Sequence, residues 1–161
     1  MPLLEGEGVT RFFGGLAAVS DVEFDVEPGE LAGLSGPNWA GKTTLFNLIS
    51  GALAPKAGII RFKDQRISGL KPNRICKMGV ARTFQSVKVF PNLPVWDNVL
   101  LGSLFGTSGK LSLADATGEA AELLEFVGLS AVRATPAKDL TLASQKRLEL
   151  CLLYTSDAAD D

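Results

Sequence analysis

The run Gly36-Pro37-Asn38-Trp39-Ala40-Gly41-Lys42-Thr43, with Thr44 behind it, has the spacing G-x-x-x-x-G-K-[ST] of a phosphate-binding loop. A triphosphate packs several negative charges into a small volume. Backbone N–H groups leading into a helix N-terminus can surround it where few side chains could. In such a loop Lys42 reaches the β- and γ-phosphates and the Thr43 hydroxyl holds Mg²⁺. Trp39 is the residue that does not suit this chemistry, because the backbone there must approach phosphate closely.

The loop needs a strand before it and a helix after it. Residues 30–35 are a short apolar run suited to a buried strand, and residues 42–50 place Leu45, Leu48 and Ile49 on one helical face before Gly51. Upstream, residues 3–13 and Leu16–Val26 read as strands. In the second, Val22, Phe24 and Val26 alternate with Asp21, Glu23, Asp25 and Glu27, which predicts one wet face. Ala57–Phe62 and residues 79–83 read as further strands, and residues 72–77 and 95–104 as helices, with Pro94 near the first turn of the second. A break at 106–109 precedes a helix with Ser112 as N-cap, Asp115 three residues on, an apolar stripe of Ala120, Leu123, Leu124 and Val127, and Gly128 as its stop. The expectation is an α/β fold, a mixed sheet around the phosphate loop with a helical subdomain attached and Gln85 at the junction.

Composition narrows the classes. The chain has 161 residues, enough for about one domain, and 46% of them are hydrophobic, so a core is possible. A net charge of −2 without a basic tract argues against nucleic acid as a partner. The two cysteines, Cys76 and Cys151, have no paired spacing, which disfavours a disulfide framework or a zinc site and makes a reducing compartment the default. No apolar stretch approaches the roughly 20 residues of a membrane span, and no leader pattern is visible at the N-terminus.

Four separated segments resemble the nucleotide-binding subunits of ABC transporters, most nearly the ATP-binding proteins of high-affinity branched-chain amino acid uptake systems. They are Phe12-Phe13-Gly14-Gly15-Leu16; Gly36 to Gly51; Ala81-Arg82-Thr83-Phe84-Gln85 with Phe90-Pro91-Asn92-Leu93 and Asp97-Asn98-Val99; and residues 140–150. The resemblance implies a P-loop NTPase fold of the ABC type, ATP and Mg²⁺ as ligands, and a role for each segment. Phe13 would stack on adenine, although an aromatic beside Phe12 also suits a core. Gly36 to Thr44 would hold the phosphates, with Thr43 and Gln85 on Mg²⁺. Gln85 would sense the γ-phosphate and act in catalysis. Leu140, Thr141, Leu142, Ala143 and Ser144 would form the signature that reaches the ATP of a second subunit, in a version that departs from the usual glycine-containing motif.

The same resemblance implies partners: a second nucleotide-binding subunit, identical or paralogous, transmembrane permease subunits, and indirectly a solute-binding protein outside the membrane. The place implied is the cytoplasmic face of the membrane, held peripherally. The function implied is ATP hydrolysis driving import of branched-chain amino acids. The alternative is a nucleotide-binding or interaction module without turnover.

Residues 1–150 then form a partial domain, with the helical subdomain at about 86–150. The family's acidic strand, its catalytic glutamate and its switch histidine have no counterparts, and the chain has no histidine. Residues 151–161 do not resemble the family. A transposon adapter translates in frame to Cys-Leu-Leu-Tyr-Thr-Ser-Asp-Ala-Ala-Asp, which is residues 151–160, so the expectation is an adapter fused behind a truncated gene. Resequencing the locus without that adapter is expected to replace these codons; finding them unchanged would sink the idea.

Overall fold

The computed structural model describes residues 1–84, 86–106 and 111–157, and divides into two compact units, Met1–Ile75 and Cys76–Asp161. Each is described by itself. Gln85, part of the break expected at 106–109, and the end of the tail lie outside the described residues.

The first unit is built on a four-stranded sheet. Strands β1 (Leu4–Phe13) and β2 (Leu16–Val26) form a hairpin, β3 (Ala57–Phe62) pairs with the other edge of β1, and β4 (Gln65–Arg66) pairs with β3. The order is β2-β1-β3-β4, with every pair antiparallel. The predicted alternation in β2 is realised: Val22, Phe24 and Val26 are half-buried, while Asp21, Glu23 and Asp25 are exposed. β4 went unpredicted because it is two residues long. The turn at Lys63 and Asp64 creates it, since φ values of 49° and 60° give the double left-handed turn that matches hairpin twist. Helix α1 (Lys42–Ile49) buries Leu45 and Leu48, two of the three residues its spacing singled out, and leaves the third, Ile49, half-buried. Helix α2 (Pro72–Cys76) closes the unit through Ile75.

Two predicted strands do not form. Residues 30–35 have no regular structure, and Leu31 and Leu34 are exposed rather than buried. Residues 79–83 are likewise irregular. An apolar run becomes a strand only when a neighbour takes up its backbone N–H and C=O groups. Among the described residues the ladders involve β1 to β4 alone, and none reaches either run.

The second unit is helical. Helices α3 (Val95–Phe105), α4 (Leu113–Phe126) and α5 (Leu142–Asp157) enclose a core that includes Val95, Val99, Ala120, Leu124, Leu148 and Cys151. The predicted cap of α4 is present: the Asp115 N–H donates to Ser112 Oγ at 3.1 Å, and Gly128 follows the helix with φ 71°. α5 continues without a break past residue 150, and buries Cys151 and Thr155. No helix among the described residues is long and apolar enough to cross a membrane.

One buried polar side chain organises the entry to this unit. Asn98 is fully buried on α3. Its Oδ1 accepts from the Phe90 N–H at 2.7 Å, and its Nδ2 donates to the carbonyls of Phe90 (3.0 Å), Leu93 (3.3 Å) and Pro94 (3.0 Å). The amide therefore replaces a strand partner for the loop at 90–94. Asn98→Ala leaves the Phe90 N–H without its acceptor, while the carbonyls of Phe90, Leu93 and Pro94 keep the main-chain donors Leu93, Ala137 and residue 98, and it is expected to cost about 2 kcal/mol in urea unfolding. A change below about 0.5 kcal/mol would show that water satisfies that N–H instead.

Candidate functional site

The phosphate loop is held in place by one close approach. Gly41 caps α1 in a left-handed conformation, φ 79° and ψ 2°. A Cβ there would meet the Ala18 carbonyl oxygen of β2 at 2.0 Å. Glycine is required twice over, for its dihedral and for its missing side chain. The helix therefore starts directly on the β1–β2 hairpin. No side chain caps its first turn, so the orphan N–H groups of that turn remain for a ligand.

Lys42 closes the loop on itself. Its Nζ donates to the carbonyls of Gly36 at 2.5 Å and Pro37 at 2.6 Å. The ammonium thus links the helix start to the loop start, and a polyphosphate could take over those contacts. Within the loop, the Ala40 N–H donates to the Pro37 carbonyl at 3.3 Å, which shapes the turn through Asn38 and Trp39. Gly36 to Ala40 are exposed, as is Thr43, whose hydroxyl sits in the first turn of α1. A hydroxyl there, among uncapped N–H groups, fits a cation bridging to phosphate oxygens. Thr44, next along, is half-buried.

Trp39 takes φ 72°, a left-handed conformation costing a non-glycine residue roughly 1–2 kcal/mol. Its side chain is fully exposed and gains no packing in return. The loop thus reaches the shape that glycine would permit, under strain.

Phe13 lies at the tip of the same hairpin, paired with Leu16, and its ring is about half exposed. The Arg11 guanidinium sits 5.3 Å from the ring centroid, with one amino group anchored on the Ala54 carbonyl at 2.9 Å. Arg11 was not singled out from the sequence, although it stands two residues before Phe13 on β1, where residues i and i+2 share a face. The hairpin carries Phe13 on its tip and, at the third residue of β2, the carbonyl on which Gly41 rests.

In the second unit the segment expected to be the signature, Leu140 to Ser144, leads into α5. Thr141 Oγ1 accepts from the Ser144 N–H at 3.2 Å and bonds the Ser144 hydroxyl at 3.1 Å, so it caps the helix. Leu142 is exposed, while Gln145 Nε2 donates to the carbonyls of Ala137 (3.1 Å) and Leu140 (3.3 Å). Further along α5, Glu149 is buried and binds the main chain at Phe84, a contact the sequence did not suggest. Burial pushes its carboxyl up. The Lys146 ammonium and the N–H groups of Phe84 and Lys88 together outweigh that and hold it below the usual range. A shallow cavity of about 360 Å³ is lined by Pro94, Trp96, Asp97, Arg133 and Ala134, none of them a predicted site residue.

A family model described as "ABC transporter" matches residues 19–159, most of the chain. The chain belongs to the ABC transporter family. It is 38% identical to the high-affinity branched-chain amino acid transport ATP-binding protein LivG of Escherichia coli K12, over 92% of this chain and 63% of LivG. BraF of Pseudomonas aeruginosa, of the same description, is also 38% identical, with the same coverage. The ribose import ATP-binding protein RbsA 3 of Rubrobacter xylanophilus is 34% identical over 98% of this chain and 32% of that protein. The chain thus spans under two thirds of the length of the curated relatives it matches. Among solved structures, an ATP-binding cassette of an ABC transporter in its ADP conformation superposes with a TM-score of 0.82 at 27% identity, covering 97% of this chain and 65% of that one. A dimeric bacterial ABC transporter cassette at 22% identity and TM-score 0.83 shares the fold. The fold is therefore that of an ABC nucleotide-binding domain, of which this chain carries a part.

The Gly41 contact makes a direct prediction. Gly41→Ala must move α1 off the hairpin and is expected to destabilise the first unit by more than about 2 kcal/mol, read as a lower thermal midpoint. An unchanged midpoint would mean that the loop does not rest on Ala18.

Proposed function

We propose that this chain is the nucleotide-binding part of an ABC importer subunit, which binds ATP with Mg²⁺ at Gly36 to Thr44 and couples its hydrolysis to solute uptake. The observation that carries the reading is the loop itself: a left-handed Gly41 seated on β2, a helix start without a side-chain cap, and Lys42 already turned into the ring. In the bound state Lys42 exchanges its carbonyls for the β- and γ-phosphates. Thr43 supplies an oxygen to Mg²⁺, and Thr44 adds a second hydroxyl to the phosphate site. Phe13 offers its free face to adenine. Gln85 completes the Mg²⁺ and γ-phosphate contacts. Leu140 to Ser144 serve the ATP of a second copy or a paralogue, with the Thr141 cap aiming the α5 N-terminus at an anion.

Branched-chain amino acids are the proposed solute, supported by the 38% identity to LivG and BraF. The partners that follow are transmembrane permease subunits and, through them, a solute-binding protein, with the chain lying peripherally at the cytoplasmic face of the membrane. A second reading, nucleotide binding without turnover, has its own support in the strained Trp39 and in the unpaired apolar run at 30–35.

Equilibrium binding of Mg-ATP to the chain tests the common part. Lys42→Ala is expected to lower affinity at least 100-fold, since it removes a charge-assisted contact. Trp39→Gly is expected to raise affinity about tenfold by relieving the left-handed strain. Equal affinities across the three proteins would refute the site. Phosphate release with permease subunits present separates the transport ATPase from the binding module.

A further inference from the structure

Glu149 is a buried carboxylate that the phosphate chemistry described above does not use. Only 5% of the residue is exposed. Its Oε1 accepts the Phe84 N–H at 3.2 Å and its Oε2 accepts Lys146 Nζ at 2.9 Å. Lys146 Nζ in turn donates to the Phe84 carbonyl at 3.0 Å. Both main-chain polar groups of Phe84 are therefore held by side chains of α5. The grip falls on Phe84, the residue before position 85.

Burying a carboxylate is costly unless several donors meet it, and an apolar contact would fix a loop at less expense. What ionic hydrogen bonds to the main chain add is direction and register. They tie a stretch without strand pairing to one turn of one helix. That helix is the one whose first turn Thr141 caps. Lys146 and Glu149 lie five and eight residues past that cap, up to about 2.2 turns along the helix, so a shift of α5 along its axis carries the backbone at Phe84 with it.

We propose that Glu149 and Lys146 are positioning residues that lock the segment flanking position 85 to the signature helix, so that the γ-phosphate response at Gln85 and the placement of Leu140 to Ser144 change together. The coupling rests on the functional reading given above; the lock itself does not. Glu149→Gln keeps the shape and removes the charge, and Lys146→Met keeps the apolar stem.

Amide hydrogen exchange without nucleotide tests the lock. In both variants the amide of Phe84 is expected to exchange at least tenfold faster than in the parent chain, while those of α4 stay unchanged. Unaltered exchange at Phe84 would overturn the proposal. The ratio of Mg-ATP to Mg-ADP affinity tests the coupling. It is expected to fall about tenfold in Glu149→Gln with ADP affinity kept, a split that mere loosening of the fold would not produce. An unchanged ratio would overturn the coupling. A parent chain that binds neither nucleotide would retire the functional reading, and the exchange measurement would still decide the lock.

Discussion

The close approach of Gly41 to the Ala18 carbonyl is the contact on which the site depends. Backbone lies against backbone there, with no side chain between. The hairpin tip, the loop and the start of α1 thereby become one rigid corner. Every proposed nucleotide contact in the first unit hangs from it: Phe13 from the hairpin, Lys42 and Thr43 from the helix start, and Gly36 to Ala40 from the loop that Lys42 closes. An ion as dense in charge as a triphosphate needs its donors fixed in advance, because each donor ordered at the moment of binding costs conformational entropy.

The second unit solves the same problem with side chains. Where the loops at 84–88 and 90–94 have no strand partners, Glu149, Lys146 and Asn98 take up their main-chain groups. Two buried polar residues and the half-exposed Lys146 do for irregular chain what a ladder does for a sheet. The contrast with residues 30–35 is instructive. That run is more apolar than either loop, yet Leu31 and Leu34 stay exposed. Hydrophobicity supplies a tendency to be buried, but burial of a strand also requires a neighbour to accept its hydrogen bonds.

Much of the architecture was legible from local pattern. The alternation of β2, the Ser112 cap, the Ala120–Leu124 stripe and the stop at Gly128 are short-range signals, and each is present. The phosphate loop was legible because its chemistry dictates its spacing. Glu149 beneath Phe84 was not, since 65 residues separate the two along the chain; Arg11 beside Phe13 is an i, i+2 pair on one strand face, which period two permits but does not single out. The strands expected at 30–35 and 79–83 failed for a related reason: a pattern in one segment says nothing about whether a partner strand is there.

The sequence alone determined the chemistry on offer, namely glycines, a lysine and hydroxyls at the spacing a polyphosphate requires, and it marked Trp39 as the residue at odds with them. Only the tertiary structure decided what Trp39 does. It adopts φ 72° with its ring in solvent, so the loop keeps its cradle shape under strain. The physical reason is that the loop's dihedrals are set by what lies at its two ends, the Gly41 seat on β2 and the Lys42 bonds back to Gly36 and Pro37, and not by the residue in its middle.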